Sequence, residues 1–430
     1  MPGFLFLCCG CSKFELVRVT AGGSPRKFAT FDGPPYWLRL SPDGRVVRFT
    51  VSSNSLNSLW KVAADGSNPH RMLERWRGAA SPSNGNWTPD GRYFLFQAIL
   101  NGRSDIWTLR EKGDPFHKVS QEPLRLTAGP MSFYSPQPSA DGKKIFVIGD
   151  QPRAELVRYD AKSGLFVPYL RGISAGQVTF SRDGQWVAYT TFPDGNLWRS
   201  RVDGGEKLQL TNAPISAGFP QWSPDGREIA FINFEVGKTQ AIYLVPADGG
   251  SPRELHATSF NVWRVNWTPD GNSILYAEAE GGAGTPSTLI HFLDLKTLKV
   301  STLPASRQRY WPALSPDGRY LVAVPVDAQK LVLFDFASQK WSELASASIG
   351  FTQWSSDSKY VYFDTGYSAN AAVYRVRISD RKLERVADLR DFRRVVTTFI
   401  SWSGVTPDGS PLLMRDTGTQ EVYALDFEAP

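Results

Sequence analysis

Thiols are almost missing from this chain: of its 430 residues only Cys8, Cys9 and Cys11 are cysteine, and none follows Ser12. The body therefore has neither a disulfide framework nor a thiolate metal site. Histidine is nearly as scarce. His70, His117, His256 and His291 stand far apart, no two at metal-ligand spacing, so no metal and no cofactor is expected. No apolar run approaches the ~18 residues that cross a bilayer as a helix, so no transmembrane segment is expected. Nor is there a basic stripe. The net charge of +6 is scattered over strand ends and loops, with Arg75, Arg77 and Arg393-Arg394 as small clusters, which argues against a nucleic-acid partner. The atypical leader MPGFLFLCCGCSK (1–13) has no basic residue before its short apolar run, so it does not make an export signal.

Turn and aromatic residues are plentiful instead. Glycine (37), proline (30) and tryptophan (14) fit many short strands divided by tight turns. One phrase recurs: LSPDGR (40–45), WTPDGR (87–92), PSADGK (138–143), FSRDGQ (180–185), WSPDGR (222–227), WTPDGN (267–272), LSPDGR (314–319), WSSDSK (354–359) and VTPDGS (405–410). Its Asp residues, 43, 90, 141, 183, 225, 270, 317, 357 and 408, are 40 to 51 residues apart, the period of a four-stranded propeller blade. Proline presets φ, Asp bonds its own backbone, and Gly takes the positive φ that closes a hairpin. An apolar strand follows, then a second such as AIYLVPA (241–247), a turn at Asp248-Gly249-Gly250, and a polar outer strand. The fold class read from this is all-β, a β-propeller.

Counting strands gives an architecture. The last repeat ends at Pro430 after three strands, so a ring must find its fourth elsewhere, because an open edge invites aggregation. EPLRLT (122–127) is read as that strand. The expected organisation is a leader (1–13), a partial propeller (14–110), a linker (111–121) and a seven-bladed propeller (122–430) closed by 122–127. A single nine-bladed ring is the alternative.

The repeated S/T-P-D-G turns, with the strands that follow them, resemble the WD40-like repeats of the TolB-type β-propeller family over residues 14–430. DGKKIFVIGDQPRAELVRYD and the ending DGSPLLMRDTGTQEVYALDFEAP resemble the tandem propellers of bacterial membrane-tethered winged-helix regulators, here without winged helix or membrane helix. The resemblance implies an extracytoplasmic, periplasmic location. A remnant of such a regulator, N-terminally truncated, is one alternative reading.

Catalytic patterns are few. Gly172-Ile173-Ser174-Ala175-Gly176 matches G-x-S-x-G, but it sits in a loop feeding a strand, with no helix after it. Gly281-Gly282-Ala283-Gly284-Thr285 lacks the lysine of a phosphate loop. The expectation is a protein that is not an enzyme: a monomeric binding, scaffolding or sensory module for a protein, peptide or small ligand, with a propeller enzyme as the lesser alternative.

Propellers bind ligands at the mouth of the central channel, where the innermost strands begin. The position six before each motif Asp reads Trp37, Asn84, Ser135, Gln177, Phe219, Arg264, Trp311, Phe351 and Trp402. Candidate site residues are therefore Phe219, Arg264, Trp311, Phe351 and Trp402, with Tyr134, Trp263, Arg309 and Tyr310 beside them. Aromatic and Arg side chains are favoured anchors for peptides. Equally, they could simply plug the channel and pack between blades.

Overall fold

The computed structural model describes all residues except 1–2, 10–12, 20–25, 32, 54–55, 75, 77–80, 101–102, 113–121, 236–237, 259–260, 281–286, 367–369, 396–401 and 429–430. Most of the linker expected at 111–121 lies outside the described residues. Among the described residues every regular element is a β-strand, and every pairing is antiparallel. No helix among the described residues is long and apolar enough to cross a membrane.

The recurring phrase works as its chemistry requires. In WSPDGR the Ser223 hydroxyl donates to Asp225 Oδ1 at 2.6 Å and accepts the Glu228 N–H at 2.9 Å, while Asp225 Oδ1 accepts the Arg227 N–H at 3.1 Å. Gly226 takes φ 72°. The same hydroxyl-to-carboxylate bond recurs at Asp43, Asp141, Asp183 and Asp317, so each turn fixes the register of the hairpin it closes.

The chain forms two compact units. The second, Pro152–Gly281 with Pro286–Thr417, holds six four-stranded sheets. Five are built from consecutive strands. Their innermost strands are Ala175–Phe180, Ala217–Trp222, Val262–Trp267, Arg309–Leu314 and Thr352–Trp354, in blades I to V. Blade VI is composite: Gly404–Val405 and Pro411–Asp416 supply its inner half, Ala154–Asp160 and Leu165–Pro168 its outer half. Each innermost strand neighbours the next, and blade VI returns to blade I, so the ring is closed.

The core is divided in the same way. The second strand of blade II, Glu228–Asn233, sends Ile229 and Phe231 into the cluster shared with blade I. It sends Ala230 and Ile232 into the cluster shared with blade III. Both faces of such a strand are buried, and each Ile or Phe there contributes ~1.5–3 kcal/mol. The last cluster joins Leu156 and Leu412 of blade VI to Val178, Val187 and Tyr189 of blade I. Gly404 makes that join possible. At φ 138° it lets the strands approach until a Cβ there would lie 2.7 Å from the Val178 carbonyl oxygen.

The first unit contains Met1–Gln151 and Gly418–Pro430. It has a three-stranded sheet led by Gly3–Cys9, two four-stranded blades, and a sheet of Ser132–Pro138, Lys144–Gln151 and the C-terminal strand Thr419–Asp426.

This pairing corrects the expected closure. Leu124–Arg125 is the outer strand of the blade containing Arg103–Arg110, and it does not pair with the tail strand. The tail pairs with Lys144–Gln151. The seven-blade count assumed that consecutive hairpin partners share a sheet. Here two hairpins exchange partners, 144–151 taking 419–426 and 411–416 taking 154–160. By contact, Met1–Gln151 groups with Gly418–Pro430, and Pro152–Gly281 with Pro286–Thr417.

Candidate functional site

In the second unit the position six before each motif Asp falls on a β-bulge in blades I to IV. Gln177, Phe219, Arg264 and Trp311 have φ between 46° and 54°, and the inner-strand register slips at each. In the first unit Trp37, Asn84 and Ser135 do the same. A left-handed non-glycine residue costs about 1–3 kcal/mol, and a bulge re-aims its side chain. Amides freed from the ladder find side-chain acceptors. Phe219 N–H bonds Gln177 Oε1 of blade I at 2.8 Å, and Phe351 N–H bonds Asp364 Oδ1 at 2.8 Å.

The side chains at this position meet in the channel. Phe219 of blade II lies 5.3 Å from Trp311 of blade IV and 6.4 Å from Phe351 of blade V, ring centre to ring centre. Trp311 and Phe351 are 4.7 Å apart and edge-on, and Trp263 touches Trp311 at 5.5 Å. The contacts of Phe219 skip blades, so the rings form a collar across the channel.

Arg264 crosses it as well. Its Nη1 donates to the Thr352 carbonyl and, at 3.3 Å, to Thr352 Oγ1, from blade III to blade V. Arg264 is 9% exposed and has no acidic partner among the described residues. Burial alone pulls the guanidinium down to about 10, because nothing negative offsets the lost hydration.

Beside Arg264 is a small open cavity of about 40 Å³ bordered by Gln177, Phe219, Arg264, Phe351, Trp402 and Ser403, among others. Among the described residues no Asp or Glu lines it. Ser403 Oγ and Trp402 Nε1 are buried and have no hydrogen-bond partner among the described residues. A second cavity of about 120 Å³, between Thr190, Phe192, Ser216 and Phe234, shares Gln177 with the first.

Not every candidate joins this group. Trp402 borders the cavity but packs with Val157, Tyr362 and Leu413 between blades V and VI. Arg309 turns outward, bonding the Ala305 and Arg307 carbonyls and covering the Trp341 ring at 4.3 Å. Tyr310 lies against Trp263, 6.3 Å centre to centre, and burial raises its phenol. Tyr134 belongs to the first unit, where burial likewise raises its hydroxyl. Ser174, centre of the G-x-S-x-G match, spends its hydroxyl on structure, donating to the Phe192 carbonyl at 2.8 Å and accepting the Ala154 N–H at 3.2 Å. Among the described residues no cluster of His, Cys, Asp or Glu is placed to hold a metal.

Thr352 and Ser403 were not singled out from the sequence. Both stand five before a motif Asp, one residue after the position that is bulged in blades I to IV. A bulge sets two successive residues against one partner, so the repeat register was the signal that could have found them.

Comparison with known proteins bears on function. Residues 191–399 match the family described as the Tricorn protease N-terminal beta propeller domain. An uncharacterized protein of Agrobacterium fabrum is 25% identical over 226 residues, 52% of this chain and 63% of that protein. The uncharacterized peptidase YuxL of Bacillus subtilis is 34% identical over 207 residues, 45% of this chain and 29% of the peptidase. The chain thus spans less than two thirds of either relative. The structure described as a putative TolB from Agrobacterium tumefaciens aligns with TM-score 0.48 at 19% identity, over 62% of this chain and 98% of that one. The expectation that the chain is not an enzyme is corrected here, because a relative at 34% identity is named a peptidase. That expectation rested on motifs inside this chain, whereas catalysis in a larger protein can depend on residues outside the shared stretch. With its repeated turn phrase and its four-stranded antiparallel sheets the chain has the β-propeller fold, and over residues 191–399 it is similar to the Tricorn protease N-terminal beta propeller domain.

Proposed function

We propose that the second unit captures peptides in its central channel, as the propeller of a peptidase-type protein. The observation that carries this reading is Arg264, a buried cation with no carboxylate beside it among the described residues, set among Phe219, Trp311 and Phe351. Leaving a charge buried and unpaired costs several kcal/mol, which is tolerable where a ligand supplies the counter-charge. Flat aromatic rings add apolar contact at low conformational cost. The name of the Bacillus relative supports peptide as the ligand class. In this reading the partner is a peptide or an unfolded protein segment, and the protein acts as a monomer outside the cytoplasm.

Titrating the full chain with short unstructured peptides, followed by calorimetry and by mass spectrometry for cleavage, tests the reading. Binding at micromolar to millimolar concentration that weakens ~tenfold or more in Trp311→Ala is expected, since an aromatic anchor carries ~2 kcal/mol or more. Peptides that do not bind, or that bind both proteins alike, would overturn it. Sedimentation and cell fractionation check the assembly state and the location.

A further inference from the structure

We infer that the cavity beside Arg264 is a carboxylate-binding subsite, with Arg264 as its charged donor and Ser403 Oγ and Trp402 Nε1 as neutral donors. The inference rests on the channel reading above and names the chemical group that the channel recognises. Three observations meet there. Arg264 is 9% exposed, bonds only to Thr352, and has no acidic partner among the described residues. Ser403, 2% exposed, and Trp402, 6% exposed, each leave a buried polar atom unpartnered on residues bordering the same cavity. Among the described residues the lining contains no Asp or Glu that would repel an anion.

Indole N–H can only donate and guanidinium can only donate, so the set calls for an acceptor-only ligand. One guanidinium balances one negative charge. Among the described residues no lysine, second arginine or helix N-terminus lines the cavity, so a carboxylate fits where a phosphate dianion would be left under-compensated. The collar of Phe219, Trp311 and Phe351 places apolar surface next to the charge. A peptide carboxylate adjoining an apolar residue satisfies both halves.

Such a carboxylate has two sources, a free C-terminus or an Asp or Glu side chain, and three probes separate them. N-acetyl-phenylalanine carries the first, the α-amide of N-acetyl-glutamate the second, and N-acetyl-phenylalaninamide neither. Each is titrated calorimetrically into the full chain. At least one acid is expected to bind ~tenfold or more tighter than the neutral amide, which is ~1.4 kcal/mol. Which acid wins identifies the source. Arg264→Met abolishes the preference and Ser403→Ala lowers the affinity ~threefold or more, the effect of one neutral hydrogen bond. Arg264→Gln repeats the test should the Met variant melt lower than the wild type.

Equal binding of acids and amide overturns the subsite. So does a preference that survives in both Arg264 variants, and so does the failure of every probe to bind. The outcomes separate the two proposals. A peptide held equally by wild type and Arg264→Met keeps capture and removes the subsite. An acid probe bound where no peptide binds does the reverse.

Discussion

Removing Arg394 should expose a buried charge whose cost depends on pH. Asp364 is fully buried in blade V. Its Oδ2 accepts Arg394 Nη1 at 2.9 Å, its Oδ1 accepts the Phe351 N–H, and the Arg394 side chain is itself only 8% exposed. Arg394 also donates to the Gly366 carbonyl, so one guanidinium ties the segment before blade VI to blade V. Breaking a buried pair by deleting one partner costs about 3–5 kcal/mol, because the remaining ion has no compensation. Arg394→Ala should therefore lower the unfolding free energy by about that much at pH 7.5. The pH dependence follows from the carboxyl. Burial holds it above its ordinary range, and Arg394 is the main influence pulling it back down. A folded value above the unfolded one favours the protonated folded state, so that contribution is present at low pH and lost as pH rises through the folded value. Without Arg394 the folded value climbs further. The deficit of Arg394→Ala should then be largest at neutral pH and shrink steadily as the buffer is taken down toward about pH 5. Urea unfolding of both proteins across that range, read by tryptophan fluorescence, measures it. The double variant Arg394→Ala/Asp364→Asn, with no buried charge to strand, should recover part of the loss at neutral pH. A deficit below ~1 kcal/mol, or one unchanged between neutral and mildly acidic buffer, would refute the reasoning.

Three further outcomes are expected. Arg264→Met, which replaces an unpaired buried cation with an apolar side chain, should stabilise the ligand-free protein by about 1–4 kcal/mol; a lower melting temperature would count against the uncompensated charge. Gly404→Ala should cost about 2 kcal/mol or more, because the added Cβ meets the Val178 carbonyl at 2.7 Å where the ring shuts; unchanged urea midpoints would argue that the join is loose. The turn carboxyls of Asp183, Asp225 and Asp270 are held below their usual range, chiefly by the Ser181, Ser223 and Thr268 hydroxyls. A lowered folded value means stability present above about pH 4 and lost as pH falls further, so acid should unfold the protein, and Asp225→Asn should flatten that acid limb measurably.

Much of this fold was legible because its signals are local. Each S/T-P-D-G turn closes through bonds spanning five residues or fewer, as between Ser223 and Glu228, and its backbone angles are dictated by Pro and Gly themselves. The repeat therefore announced blades, hairpins and the innermost strand, and it singled out Phe219, Arg264, Trp311 and Phe351. It did not announce that the first three of those positions are bulged, since a bulge is a property of two strands in register. Arg309 carries the same chemistry as Arg264 and sits at an inner-strand start, yet it faces its own loop and Trp341. Only its place relative to the bulge distinguishes the two.

Ring closure was beyond the sequence for a related reason. AELVRYD (154–160) and TQEVYALD (419–426) have the same alternation and comparable strand-forming residues, so either suits the third position of a blade. Local chemistry therefore determined what each segment would become, and it left open which partner it would take. The choice lies in contacts between residues far apart in the chain, Glu155 with Arg415 and Lys144 with Asp426 among them. Those contacts exist only once the inter-blade cores have packed and the last free edge has been covered, which is why the tertiary structure alone decided it.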